Sequence, residues 1–170
     1  MNVEVFDGVA SVALGDTLLT LWQRPARAER IRHVTSVASR LLDGTPESIV
    51  ACQFLLPSAG PPRLQERADI RAGLDLVLPR ARRLVTTPLG DATWHAVVRG
   101  VMRAGLAILG QSKLVKVAAG PAEAFALLGE VSSPATPDRA TLDAAFEALH
   151  RALEVSARRG PSRRADRATG

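Results

Sequence analysis

The sequence predicts an α/β fold, and three observations predict it. Residues 84–128 alternate strand and helix: Leu-Val-Thr-Thr at 84–87, a Pro88-Leu89-Gly90-Asp91 turn, a helix over 92–109, a strand over 114–118 and a Pro-started helix over 121–128. That order is a crossover unit joining parallel neighbours. Residues 48–56 (Ser-Ile-Val-Ala-Cys-Gln-Phe-Leu-Leu) are short, nearly continuous in apolar side chains and bounded by turn residues, as a buried central strand requires. Residues 2–23 are β-prone pieces punctuated by Asp7-Gly8 and Gly15-Asp16, which leaves two or three strands open.

The helices follow from spacing and punctuation. Pro25 is read as opening the first one, whose stripe is Ile31, Val34, Ala38, Leu41 and Leu42. Arg27, Arg30, Arg32 and Arg40 then fall mostly on the wet side, and Asp43-Gly44 ends it with a left-handed glycine cap. A second helix is expected over 63–77 and is broken by Pro79. In the helix over 92–109, Gly100 and Gly105 each cost about 0.5–1 kcal/mol relative to Ala, which predicts close approach of its backbone to the sheet. The last helix starts at Thr136-Pro137-Asp138, with Thr as cap and Pro at the first position, and its stripe is Leu142, Ala145, Phe146, Leu149 and Leu153. That stripe demands a partner surface. Folding back on the sheet is preferred over exchange into a dimer.

With 170 residues the chain is expected to be one domain over 1–131, a C-terminal helix over 132–156 packed on it or on a partner, and a disordered basic tail over 157–170. Apolar residues make up 46% and the mean hydropathy is +0.07, while no apolar run reaches the roughly 18 residues of a membrane span. Glu4 stands where a secretory leader would carry cations, and the lone Cys52 excludes an internal disulfide. A cytoplasmic protein with no membrane partner is therefore expected. The net charge of +5 is local. Arg158, Arg159, Arg163, Arg164 and Arg167 against Asp166 give the tail +4 and leave +1 for residues 1–156. The tail could meet an acidic partner or nucleic acid, and a solvated chain end is the simpler account.

The order of strand pair, helix, central strand, loop, helix, strand, helix, strand, helix resembles the STAS-like domain family of sulfate transporters and anti-sigma factor antagonists. The likeness is carried by residues 18–42, 49–56 and 114–117, followed by Pro121-Ala122-Glu123-Ala124-Phe125-Ala126-Leu127-Leu128. The resemblance implies a mixed four- to five-stranded sheet with flanking helices, to which this chain adds its C-terminal helix. It also implies a non-enzymatic regulatory or protein–protein interaction module of the bacterial signalling type. In regulatory members a Ser or Thr opening the helix after the central strand is phosphorylated, and Ser58 is the residue here that lines up. The family's acidic residue before that site is replaced by Leu56 and Pro57. The Pro57-Ser58-Ala59-Gly60-Pro61-Pro62 loop follows the carboxyl end of the central strand, where α/β proteins carry their working surface. The expected partner surface is therefore Pro57, Ser58, Gly60, Pro61 and Pro62.

Chemistry-bearing residues are few. His33, His95 and His150 stand on three separate predicted helices with no Cys or second His at metal-ligand spacing, Cys52 reads as an inert core thiol, and no phosphate loop or nucleophile elbow occurs. Glu66 and Asp69 stand one turn apart but are interleaved with arginines, as in an exposed ion-pair face. No catalytic residue, metal or cofactor is expected. Two alternatives accompany the interaction module: a small enzyme with a cryptic site near Trp94, His95 and Ser58, and a nucleic-acid-associated protein using the arginine tail. The partner expected is another protein or a second copy of the chain.

Overall fold

A computed structural model describes residues 1–45, 48–61, 64–109 and 114–159, with the side chains of 64, 67 and 103–109 outside that description. The strands are β1 (Glu4–Phe6), β2 (Val9–Leu14), β3 (Thr17–Trp22), β4 (Ile49–Leu55), β5 (Ala81–Pro88) and β6 (Val115–Val117). The helices are α1 (Ala28–Gly44), α2 (Arg67–Val77), α3 (Ala92–Leu109), α4 (Pro121–Gly129) and α5 (Arg139–Arg159). The strands lie in one mixed sheet in the order β1-β2-β3-β4-β5-β6. β1, β2 and β3 form an antiparallel meander, and β3 to β6 run parallel. The sheet thus has six strands, not four to five, because residues 2–23 make three strands. Two two-residue turns make that possible. Asp7 and Gly8 both have positive φ (42° and 82°), and at 15–16 only Gly15 does (56°). These are the patterns of type I′ and II′ hairpin turns.

Stepwise parallel neighbours put the three crossover helices on one face. There α1 buries Val37, Ala38, Leu41 and Leu42 against Leu18, Ile49, Ala51, Leu84 and Val115, with Leu74 and Val77 of α2 and Met102 of α3 at its margin. A second cluster on that face joins Val9, Trp22, Ile31 and Ala59. Between the two runs a row in register across the strands: Ser11, Thr20, Gln53 and Thr86. Gln53 Nε2 donates to Thr86 Oγ1 at 2.8 Å, which satisfies polar groups that burial would otherwise penalise. The other face is covered by α4 and α5. Leu142, Ala145, Leu149 and Leu153 of α5 and Ala124, Phe125 and Leu128 of α4 close over Ala10, Val12, Leu19, Leu21, Val50, Cys52, Phe54 and Val85. Phe54 lies 5.8 Å from Phe125 and 4.5 Å from Phe146, centroid to centroid. The α5 stripe therefore folds back on its own sheet.

Several expectations are corrected. Pro25 does not open α1, which begins at Ala28 with Arg27 as its cap. Arg30 is buried rather than wet (5% exposed): its guanidinium donates to the Pro25 and Asp7 carbonyls and to Asp7 Oδ2. The carbonyl of Pro25 thus serves the Arg30 side chain of α1 instead of a first helical turn. Gly44 ends α1 without a left-handed cap, since Thr45 follows in extended conformation. α2 begins at Arg67 after a 3-10 turn over Leu64–Glu66, and Glu66 is covered rather than part of an exposed face. α5 begins at Arg139, capped by Asp138, whose Oδ1 accepts the Thr141 N–H at 2.8 Å. It also extends through Arg159, beyond the expected limit at 156. A side chain at Gly100 would meet nothing within 4 Å, so the close helix–sheet approach expected there does not occur.

Candidate partner-binding rim

The expected site lies where the parallel strands end. After β4 the chain makes a 3-10 turn over Pro57–Ala59. Its tip is exposed at Pro57 and Ser58, while Ala59 is buried against Trp22 and Ile31. The turn is held from below by hydrogen bonds from several strands. Leu56 N–H donates to the Trp22 carbonyl at 3.0 Å, Ala59 N–H to the Leu56 carbonyl at 2.9 Å and Leu89 N–H to the Leu55 carbonyl at 2.8 Å. The Trp94 indole N–H donates to that same Leu55 carbonyl at 2.9 Å.

Two glycines permit this shape. Gly60 has φ 61° and ψ 172°, a region that L side chains rarely enter. A Cβ at Gly90 would fall 2.7 Å from Pro57 Cγ, so the β5–α3 turn can lie against Pro57 only with Gly there. Asp91 then caps α3 through its Oδ1, which accepts the Trp94 N–H at 2.8 Å. Sequence reasoning placed Ser58 and Trp94 but missed the clamp. An Asp three residues before a Trp in a strand-to-helix turn was the legible signal for the cap, whereas the Gly90–Pro57 approach had none.

Ser58 does not open an α-helix, because α2 starts nine residues later. Gly60 and Pro61 continue the rim, Gly60 half-buried and Pro61 exposed, and Pro62 lies outside the described residues. Of the proposed cryptic site, Trp94 is buried and committed to Leu55, and His95 is half-buried in the first turn of α3. No hydrogen bond joins His95 to Ser58 among the described residues. Of the tail cations, Arg158 and Arg159 are exposed in the last turn of α5, and Arg163, Arg164 and Arg167 lie outside the described residues. Burial pushes the Cys52 thiol up to about 12, with the Thr87 hydroxyl 3.7 Å away partly offsetting it, so the neutral thiol persists at neutral pH. The described residues contain no cluster of His, Cys, Asp and Glu that would hold a metal ion. No helix among them is long and apolar enough to cross a membrane.

The opposite end of the sheet holds a second polar centre that the sequence did not announce. Asp16, 1% exposed, accepts from Arg82, from the Ser133 hydroxyl at 2.6 Å, from the Thr136 hydroxyl at 2.9 Å and from the Thr17 hydroxyl at 3.1 Å. Burial alone would raise the Asp16 carboxyl, and the donors from Ser133, Thr136, Arg82 and Thr17 outweigh it and hold the group below its ordinary range. Thr136, expected as a helix cap, is instead part of this latch between the β2–β3 turn, β5 and the approach to α5. Four side chains, Arg82, Ser133, Thr136 and Thr17, donate to one carboxylate, which is the pattern of a structural anchor, while the buried Arg82 Nε has no partner among the described residues. No family model, curated protein or solved structure matches the chain.

Proposed function

We propose that this chain is a non-enzymatic interaction module, similar to STAS-like domains, that presents the Pro57–Ser58–Ala59 turn to another protein in the cytoplasm. The observation that carries the reading is the combination of an exposed Ser58 tip with a base fixed by Trp22, Leu55, Gly90 and Trp94. A surface already held in its binding shape loses little entropy on association. The turn also occupies the carboxyl end of a central parallel strand, the habitual working edge of such sheets. Ser58 is the switch residue in this reading. A phosphate there would add about −1.5 to −2 charges at neutral pH and change which partners the rim accepts.

A photoreactive amino acid placed at Ser58 in living cells tests the reading. It predicts a discrete adduct with a second polypeptide, or with a second copy of this chain, that vanishes when the label is moved to exposed Glu147 on α5. Labelling at Ser58 no stronger than at Glu147 contradicts it.

A further inference from the structure

We propose that two copies of this chain pair through their β1 strands, antiparallel and two-fold, so that one sheet runs through both. The proposal goes beyond the reading of the rim and uses a different surface. β1 lies at one edge of the sheet, with β2 as its strand neighbour. In a two-residue hairpin the residues flanking the turn exchange backbone bonds, so Phe6 bonds to Val9 and Glu4 to Ser11. The N–H and C=O of Val5 between them point away from β2, and no bond from a turn or loop reaches them among the described residues. Lysine, proline or a bulge usually guards such an edge. β1 has none of these, whereas β6, at the other edge, carries Lys116 at its centre.

The side chains along this edge select a second copy as the occupant. Phe6, 38% exposed, stacks on His33 of α1 with 5.3 Å between centroids. Glu4 lies on the same face and pairs with Arg40 of α1 at 2.6 Å. Beside that pair a groove of about 260 Å³ has Ala13, Val37 and Leu41 as its apolar lining. When Val5 faces Val5 of the second copy, two backbone bonds form across the dyad. Each Phe6 then falls opposite the other copy's Glu4, at the mouth of that groove. Knob and groove thus belong to one chain, at the spacing that a two-fold exchanges. The neighbouring register, Val3 against Val5, would set Glu4 directly against Glu4. Pairing β1 with the β6 of another copy would be head-to-tail and would propagate into open assemblies. A foreign strand would take the same backbone bonds and leave Phe6 without the groove that matches it.

Sedimentation equilibrium on the full chain tests the pairing. The expected mass rises with protein concentration from one chain of 18.0 kDa towards two. Val5→Pro removes the outward N–H without breaking a bond to β2. Phe6→Glu removes the knob and Ala13→Glu fills the groove, both at exposed positions. Each of the three is expected to weaken dimerisation about tenfold or more. Ala13→Glu lies outside β1, so its result stands even if the other two variants disturb the strand's own pairing with β2. Ser58→Trp leaves the dimer intact, which separates this edge from the rim. A single-chain mass at every concentration overturns the proposal. So does a dimer that Phe6→Glu and Ala13→Glu leave at full strength, and so does one that Ser58→Trp dissociates.

Discussion

Asp16 and Ser58 are both polar residues in turns at the ends of β-strands, yet the structure uses them in opposite ways. The carboxylate of Asp16 is withdrawn from water and saturated by donors, while the hydroxyl of Ser58 is held out on a fixed turn. Replacing Asp16 by Asn removes the charge that Arg82 and the two linker hydroxyls face, at a cost of about 2 kcal/mol at neutral pH. The sign of the pH dependence follows from the lowered carboxyl. Its stabilisation is present above the ordinary value of 3.8 and is lost as pH falls through the lower folded value. Chemical denaturation of both proteins at pH 7 and below pH 4 should show their stability difference shrinking in acid. A difference that stays constant with pH would remove the ionised carboxylate from the account. Neither partner was legible in the sequence, because Arg82 and Thr136 stand 66 and 120 positions from Asp16, the first brought to it by the register of β3 to β5 and the second by the linker between α4 and α5.

At the scale of elements, α3 departs furthest from its sequence-based expectation. Its glycines were read as points of close packing, but Gly100 faces open space. The helix is apolar around most of its circumference, and periodicity alone cannot tell which apolar side meets the sheet. Gly100→Ala is therefore predicted to stabilise the protein by about 0.5–1 kcal/mol through helix propensity, read as a raised urea midpoint with unchanged slope. A lowered midpoint would put a neighbour against Gly100 and reverse the assignment of faces. α5 was more legible. Its stripe of Leu142, Ala145, Phe146, Leu149 and Leu153 has one regular period and few competing apolar positions, so its core-facing side could be read directly. Its starting residue could not, because Thr136, Pro137 and Asp138 are all good cap chemistry and the choice among them depended on Asp16.

For the whole molecule, strand identity was legible wherever a run was short, apolar and bounded by turns, as in β4. The strand count was less so, since the β1–β2 and β2–β3 turns become visible as two-residue hairpins only once their φ signs are known. The rim was foreseen from its place after β4, whereas its rigidity comes from Trp22 at the end of β3 and from Gly90 and Trp94 at the β5–α3 turn, two other parts of the chain. That rigidity is the claim on which the functional reading depends. Residue-resolved amide hydrogen exchange tests it directly. The N–H groups of Leu56, Ala59 and Leu89 should exchange as slowly as those of the β4 strand beneath them. Exchange of these three at the rate of an unstructured peptide would contradict a preformed platform at Ser58.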